Sequence, residues 1–376
     1  MQTHLNSRRQ FLHKSIGGIL TLTLVPSLYA RVAIDSQKEP VKWYDVRDQG
    51  IEGKGWEDTK RYFDRLPAKA EGVVREPVWN LSQHSAGMRV RFNTDATTLN
   101  VRYRLLNENL AMPHMPATGV SGLDLYGQDA QGIDRWVAVV RPTEIEIETE
   151  IAKDLTPGMR RYTLYLPLYN GVESLEIGTP DGSMFEPLPP RKEAPMVFYG
   201  TSILHGACAS RPGMAFPSIL SRRLKRPFLN LGFSGNGRME KEVGDLLSEL
   251  DPCVYALDCV PNMDAEMINE RLVPLVKSLR SAHPTTPILV VEDRSFTNTQ
   301  FFTERKERHT NNREALKKGY TELLNSGVSD LYYLEGEQLL GLDGEAATDG
   351  SHPNDLGMVR YANAYEPALR SILKQY

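Results

Sequence analysis

Short runs of alternating apolar and polar residues fill the first half of the chain, from about residue 41 to residue 178. Gly, Asn, Asp and Pro separate these runs, of which the clearest are 88–92, 99–103, 136–140 and 162–166. Alternation puts the apolar side chains on one face of a strand, and many short strands at close spacing are typical of a β-sandwich. We therefore predict a jelly-roll-like β-sandwich domain over residues 31–185.

A different pattern begins at Met196, where short, mainly apolar runs alternate with amphipathic segments. The runs are 196–199, 228–231, 254–257, 288–291 and 331–334, and the helical candidates lie near 215–225, 238–249, 264–281, 304–325 and 355–373. Strands that alternate with helices predict a parallel sheet covered by helices on both faces. The pattern thus predicts an α/β fold, a flavodoxin-like three-layer α/β/α domain over residues 196–376. Ligands of such sheets bind at the carboxyl ends of the strands.

Between the two patterns lies a proline-rich segment at residues 186–195, which contains Pro187, Pro189, Pro190 and Pro195. Proline lacks the backbone N–H that a helix interior or a central strand requires. We therefore predict a linker here, with the domain boundary inside it.

The first thirty residues have the layout of an export signal. Arg8 and Arg9 precede an uncharged stretch at 15–30, and small residues allow cleavage after Ala30. The paired arginines, followed by Phe-Leu, resemble a twin-arginine signal. The alternative is an uncleaved anchor, but the apolar run is short of the ~20 residues that a membrane span needs. We predict a signal peptide at residues 1–30, a periplasmic or extracellular protein, and no stable membrane span in its mature form.

Composition limits the possible partners. The 376 residues carry a formal net charge of −4, so no basic surplus favours nucleic acid as a ligand. The three cysteines form no C-x-x-C pair, and the eight histidines are scattered without metal-like spacing. We predict no metal and no organic cofactor. The sequence does not determine the oligomeric state.

Polar residues follow the predicted parallel strands where an active site is expected. Ser202 comes after Gly200-Thr201, a glycine-rich loop spans 232–237, and Asn262 follows the third strand. Each has a structural alternative, because Ser202 could cap a helix, Asn262 could form a turn, and the glycines could simply join a strand to a helix.

Near residue 350 the chain reads Asp349-Gly350-Ser351-His352-Pro353. An aspartate that holds one imidazole nitrogen leaves the other free to take a proton from a serine hydroxyl. A histidine in a proline-containing loop is more often a surface turn residue, but the serine, the glycine loop and the asparagine upstream favour a hydrolytic site.

These stretches, in this order, resemble the conserved blocks of the SGNH/GDSL hydrolase superfamily, at residues 200–202, 230–235, 261–262 and 349–352. Thr201 replaces the family's usual aspartate, and Pro261 stands in the usual Gly-x-Asn block. Residues 122–126, Gly-Leu-Asp-Leu-Tyr, resemble a bacterial branch in which a β-domain of the GxDLY type precedes the hydrolase domain.

The resemblance implies a role for each block. Ser202 would be the nucleophile, His352 the base, and Asp349 the residue that orients the base. The backbone N–H groups of Ser202 and Gly235 and the side chain of Asn262 would form the oxyanion hole.

Three further polar residues near the strand ends are candidate substrate contacts: His205, Arg211 and Glu292. Packing or capping is the alternative for His205, and a buried structural role for Arg211. The resemblance implies an exported serine esterase, acting on a small-molecule or glycan ester, with an O-acetylated carbohydrate as the expected substrate. A lipid or lysophospholipid esterase, or a glycan-binding protein with an inactive hydrolase domain, are the alternatives.

Overall fold

A computed structural model describes residues 40–375 of the chain, and the predicted export signal lies outside them. No helix within this described range is both long and apolar enough to cross a membrane.

Two antiparallel sheets form the first half of the described chain. Their strands are β1 (Val41–Asp45), β2 (Arg89–Thr94), β3 (Leu99–Leu105), β4 (Asp124–Gln128), β5 (Asp134–Val139), β6 (Glu146–Ala152), β7 (Arg160–Tyr165), β8 (Val172–Pro180) and β9 (Phe185–Leu188). One sheet has the order β1-β8-β3-β6 and the other β5-β4-β7-β2-β9. Alternate residues of the strands, such as Val90, Phe92, Leu99, Val101 and Leu164, form a shared hydrophobic core. The predicted β-sandwich is confirmed.

The proline-rich segment is only partly a connection. Its first residues belong to β9, which pairs with β2 at the edge of the sheet. An edge strand tolerates proline because one of its sides needs no ladder hydrogen bond. The chain therefore leaves the sandwich at about Leu188 and enters the next sheet at Met196.

Residues 46–86 form no long strand, which the alternating pattern did not anticipate. Short 3-10 turns at Val46–Asp48 and Ala68–Ala70 precede helix α1 (Glu76–Ser82). Val78 and Trp79 of α1 belong to the same hydrophobic cluster as strands of the second half. Val46, Ile51 and Phe63 of this segment still belong to the core of the sandwich, whereas the apolar residues of α1 pack into the core of the second half.

The second half contains a five-stranded parallel sheet and helices on both of its faces. The strands are β10 (Met196–Gly200), β11 (Phe228–Gly232), β12 (Val254–Asp258), β13 (Ile288–Val291) and β14 (Leu331–Leu334), in the order β11-β10-β12-β13-β14. The helices are α3 (Ser202–His205), α4 (Phe216–Leu224), α5 (Lys241–Leu247), α6 (Ala265–Ala282), α7 (Thr303–Asn325) and α8 (Asp355–Leu373), while α2 (Ala117–Val120) lies in the first half. This confirms the predicted α/β/α layers.

The order of the strands positions the site. From β10 the chain moves to β11 on one side and then returns to β12 on the other. Such a reversal opens a crevice at the carboxyl end of the central strand. Gly200 pairs with Gly232 and with Asp258, so β10, β11 and β12 end at the same level. The loops that follow them therefore meet above one edge of the sheet.

Candidate active site

Ser202 is the first residue of the short helix α3, and only Thr201 separates it from the end of β10. Thr201, not Ser202, caps the helix, because the Thr201 side chain accepts a hydrogen bond from Ile203 N–H at 3.3 Å. Ser202 therefore does not cap the helix, which was the structural alternative for this residue. Its Oγ lies 2.8 Å from Nε2 of His352, 150 residues away in sequence.

His352 lies in a turn that precedes α8. Its Nδ1 is 2.7 Å from Oδ2 of Asp349. The other carboxylate oxygen of Asp349 accepts hydrogen bonds from the backbone N–H groups of Ser351 and His352, at 2.9 and 2.8 Å. With Nδ1–H donating to the carboxylate, Nε2 is left as an acceptor for the hydroxyl of Ser202. The turn thus fixes both the carboxylate and the ring by short-range contacts.

The ionisation of Asp349 suits this arrangement. Partial burial would raise its pKa, but the backbone and side-chain hydrogen bonds of His352, with a further one from Ser351, lower the pKa to about 2. The carboxylate is therefore charged at any pH near neutrality and can stabilise a protonated imidazole.

The glycine-rich loop after β11 lies beside the serine loop. Phe233 N–H donates to the carbonyl of Gly200 at 2.9 Å and ties the two loops together. Gly235 is exposed, has φ +67, and faces open space where a Cβ would stand. The backbone at Gly235 is therefore accessible to a ligand.

Asn262 ends a 3-10 turn (Val260–Asn262) after β12. Its Nδ2 donates to the carbonyl of Asn236 at 2.6 Å, and the Asn236 side chain in turn donates to Ser234 O at 2.8 Å. The amide of Asn262 thus holds the glycine loop through one of its N–H groups and has a second N–H available.

Two residues of the first half also reach this region, and the sequence patterns did not single them out. The Tyr169 hydroxyl donates to the backbone carbonyl of Ser202 at 3.3 Å. The ring of His114, which is exposed, lies 6.3 Å from the ring of His352, centroid to centroid. Both residues lie in loops of the sandwich half. Neither loop contains a sequence motif that would link it to Ser202 or His352, which are 30 or more residues away.

Comparison with known proteins fits this geometry. Residues 193–370 match the model of the GDSL-like lipase/acylhydrolase family, and residues 41–185 match the N-terminus of SGNH-hydrolase-type esterases, the GxDLY family. A candidate GDSL-like lipase from Bacteroides ovatus has a similar structure at 34% sequence identity and a TM-score of 0.85. The similarity covers 89% of this chain and 98% of that one.

The chain belongs to the GDSL-like lipase/acylhydrolase family.

More distant structures share the fold. The salicylyl-acyltransferase SsfX3 of a tetracycline biosynthetic pathway is 19% identical with a TM-score of 0.70, over 88% of this chain and 97% of that one. A family two carbohydrate esterase from Cellvibrio japonicus is 12% identical with a TM-score of 0.59, over 89% and 99%. No curated protein matches the sequence.

The first of the three candidate substrate contacts, His205, is enclosed by other side chains. Its side chain is completely buried and stacks on Tyr169, with the ring centroids 4.1 Å apart. Burial, together with the charge of Arg65 nearby, holds the pKa of His205 well below its usual range. Packing, the alternative reading of this residue, fits the structure. The spacing from Ser202 predicted proximity correctly but not the direction of the side chain.

Glu292, another of these candidates, has protein partners for its carboxylate. It is buried, and its carboxylate accepts hydrogen bonds from the Tyr333 hydroxyl at 2.6 Å and from Gly336 N–H at 2.8 Å. The residue fastens the loop after β14 to the end of β13, and a substrate contact by Glu292 stays a prediction.

Arg211 joins the two halves of the chain. Its guanidinium forms an ion pair with the buried Asp124 at 2.9 Å and donates to the Tyr126 hydroxyl at 2.6 Å. It also lies 5.2 Å from the ring of Trp136. Asp124 and Tyr126 belong to the Gly-Leu-Asp-Leu-Tyr motif, so the motif makes this contact between the halves. A substrate contact by Arg211 stays a prediction.

Proposed function

We propose that this family member is a serine esterase that acts through Ser202, His352 and Asp349. The aligned contacts from Ser202 Oγ to His352 Nε2 at 2.8 Å and from His352 Nδ1 to Asp349 at 2.7 Å carry the proposal. A serine hydroxyl, an imidazole and a carboxylate joined in this order constitute the machinery that activates a serine.

In the first half of the reaction, Ser202 Oγ attacks the ester carbonyl carbon, and the proton of the Ser202 hydroxyl passes to His352 Nε2. The negative charge on the carbonyl oxygen is stabilised by the backbone N–H groups of Ser202 and Gly235 and the amide of Asn262. When the tetrahedral intermediate collapses, the C–O bond to the alcohol breaks, and His352 returns the proton to the departing oxygen.

In the second half, water attacks the acyl group on Ser202. His352 removes a proton from that water, a second tetrahedral intermediate collapses, and the proton returns to Ser202 Oγ as the carboxylic acid leaves. Asp349 stabilises the imidazolium in both halves and keeps Nδ1 as the protonated nitrogen.

We infer that the substrate is an O-acetylated carbohydrate. Two observations support this choice: the shared fold with a carbohydrate esterase from Cellvibrio japonicus, and the open surroundings of Gly235, which leave room for a bulky alcohol. Export is inferred from the residues 1–30 alone, and detection of the protein outside the cytoplasm with a new N-terminus after Ala30 tests it.

The test compares the wild type with Ser202→Ala on p-nitrophenyl acetate. Ser281→Ala is the matched control, because Ser281 is exposed near the end of α6. We expect the rate of the Ser202 variant to fall by at least about 10⁴-fold and the control to keep the wild-type rate. Equal rates for all three proteins would contradict the esterase proposal.

Substrate class is tested separately with acyl chains of graded length and with acetylated oligosaccharides. Acetate released from an acetylated oligosaccharide, with activity falling as the acyl chain lengthens, supports the carbohydrate assignment. A preference for long acyl chains would indicate a lipid esterase, and glycan binding without turnover by the wild type would indicate an inactive hydrolase domain.

A further inference from the structure

Arg65 is a buried arginine beneath the proposed active site. It lies in the segment before α1, in the first half of the chain, and only 2% of its surface is exposed. A long cationic side chain is rarely buried to this degree without a carboxylate partner. Within residues 40–375, Arg65 forms no ion pair with a carboxylate.

The guanidinium of Arg65 is instead bonded to backbone carbonyl oxygens from both halves of the chain. It donates to the carbonyls of Leu81, His84, Asn230 and Gly232, at 2.6, 2.8, 2.9 and 2.8 Å. Its neighbour Asp64 accepts from Arg61 N–H at 3.0 Å and faces that turn. The charge is therefore balanced mainly by peptide dipoles.

Charge near Arg65 is kept low. The pKa of His84 is lowered to about 3 by burial and by Arg65, and the pKa of His205 is also lowered. Burial lowers the pKa of Arg65 itself to about 9, which still leaves it protonated near neutrality. A single positive charge therefore remains in a buried, otherwise neutral cluster.

One of these contacts leads directly to the proposed oxyanion hole. The carbonyl of Gly232 faces Arg65, and the N–H of the same peptide group, on Phe233, donates to the carbonyl of Gly200 at 2.9 Å. The guanidinium also lies 5.1 Å from the ring of Phe233. This peptide group is held on both sides, and the loop that contains Gly235 starts from it.

A second set of contacts leads to the serine loop. His205, at the end of α3, places Nε2 3.5 Å from the guanidinium and stacks on Tyr169. Tyr169 in turn donates to the carbonyl of Ser202. The same buried cluster therefore underlies both the first residue of α3 and the loop of Gly235.

We propose that Arg65 is a positioning residue for the oxyanion hole, through which the N-terminal half of the chain supports catalysis by the C-terminal half. It holds the peptide group 232–233 and the end of β11 so that the N–H groups of Gly235 and Ser202 converge. This inference rests on the proposed function, since an oxyanion hole matters only if an ester is attacked.

The experiment replaces Arg65 by Met, which fills similar space without donors, and by Lys, which keeps the charge but cannot reach all of the carbonyls. Arg89→Met is the matched control. Arg89 is equally buried and lies 4.4 Å from the ring of Phe228, but it pairs with Glu52 and donates to Gly87, away from the glycine loop. Unfolding temperature and near-ultraviolet circular dichroism give the folded fraction of each variant.

The readouts are kcat and KM for p-nitrophenyl acetate and the inhibition constant of trifluoroacetone, a ketone that forms a tetrahedral oxyanion adduct with a serine. Per folded molecule, we expect Arg65→Met to lower kcat by roughly 10- to 100-fold, with KM within threefold of wild type. The inhibition constant should rise by the same factor as kcat falls. The kcat and the inhibition constant of Arg65→Lys should lie between those of the wild type and Arg65→Met. Arg89→Met should match the wild type in kcat, KM and the inhibition constant.

An Arg65→Met enzyme with unchanged kcat and ketone affinity per folded molecule would overturn the proposal, as would equal losses in Arg65→Met and Arg89→Met. If the Met variant does not fold, the Lys variant decides by the same two measurements. An inactive wild type would instead reject the proposed esterase, which separates the two failures.

Discussion

The proposed site has two sides that are held in opposite ways. On the serine side, Ser202 is 5% exposed, and partners from distant parts of the chain pack beneath it. On the histidine side, 28% of the side chain of His352 and 49% of that of Asp349 are exposed. The hydrogen bonds that Asp349 accepts, including the one that orients His352, span three residues or fewer. The nucleophile thus depends on tertiary structure, whereas the acid–base pair depends on one turn.

This difference predicts how substitutions on each side affect activity and stability. Substitutions on the histidine side should change chemistry and leave stability almost intact, because few buried contacts are lost. Substitutions on the serine side should change both, because the same groups also close the junction between the two halves. The next predictions test this division, in order of their expected effect on activity.

Asp349→Asn has the largest expected effect. The amide can still accept the N–H groups of the turn, but it presents a donor to Nδ1 and favours the tautomer in which Nε2 carries the proton. We expect kcat to fall by about 10³- to 10⁴-fold with the unfolding temperature nearly unchanged. Steady-state kinetics and calorimetry on the same samples measure both quantities.

The control for this change is Asp343→Asn, in an exposed aspartate of the same region that pairs with Arg360. It should keep wild-type kinetics. The wild-type pH profile adds a check, because the lowered pKa of Asp349, about 2, keeps its carboxylate charged until the pH falls toward that value. Protonation of Asp349 should therefore contribute nothing to a loss of activity on mild acidification. An Asp349→Asn enzyme with wild-type kcat would refute the tautomer mechanism.

Ser351→Ala has an intermediate expected effect. Arg294 lies outside the turn and donates a hydrogen bond to the Ser351 hydroxyl, so its side chain helps to hold the turn in place. Loss of this one hydrogen bond should lower kcat/KM by roughly 3- to 10-fold. Ser295→Ala is the control, since Ser295 accepts a comparable bond from Arg313 away from the triad. Equal kinetics for both variants would mean that the turn needs no outside support.

Asp258→Asn should change stability rather than activity. Asp258 ends β12, is fully buried, and accepts from the Tyr365 hydroxyl at 2.6 Å. Burial raises its pKa from 3.8 to about 7, so the folded protein binds this proton more tightly than the unfolded chain does. Its contribution to stability is full below about pH 4, is lost as the pH rises to about 7, and stays lost above that.

The asparagine variant removes this dependence. Relative to wild type, its free energy of unfolding should increase with pH and gain up to about 4 kcal/mol by pH 8. Urea titrations at pH 4 and pH 8 measure the difference. A constant difference between the two proteins at both pH values would mean that Asp258 does not titrate in this range.

Most strands of the second half were predictable because β10, β11, β12 and β13 are buried on both faces and read as nearly continuous apolar runs. β14 is only partly buried, but its four residues are also apolar or aromatic. The approach of Ser202 to His352 was predictable because both residues lie in sequence blocks that resemble those of a known hydrolase superfamily. The roles of these residues remain proposals. Spacing could not tell that the side chains of His205 and Glu292 are buried among other protein groups.

The buried contacts that hold the serine side of the site were not predictable from the sequence. Arg65 reads in the sequence as an ordinary surface cation, since its carbonyl partners come from separate segments with no side-chain signature. Helix α1 was missed for a similar reason, because Val78 and Trp79 match the core of the other half. Contacts of this kind depend on how the two halves dock, which local patterns do not encode.

A consequence for chimeric enzymes follows from Gly237. This residue has φ +68, and a Cβ on it would come within 1.9 Å of the carbonyl oxygen of Gly200, the same oxygen that accepts from Phe233 N–H. The serine and glycine loops are thus interlocked at van der Waals distance. Exchanged between family members, they should be transplanted together as one module, whereas the turn of Asp349 and His352 can be grafted by itself.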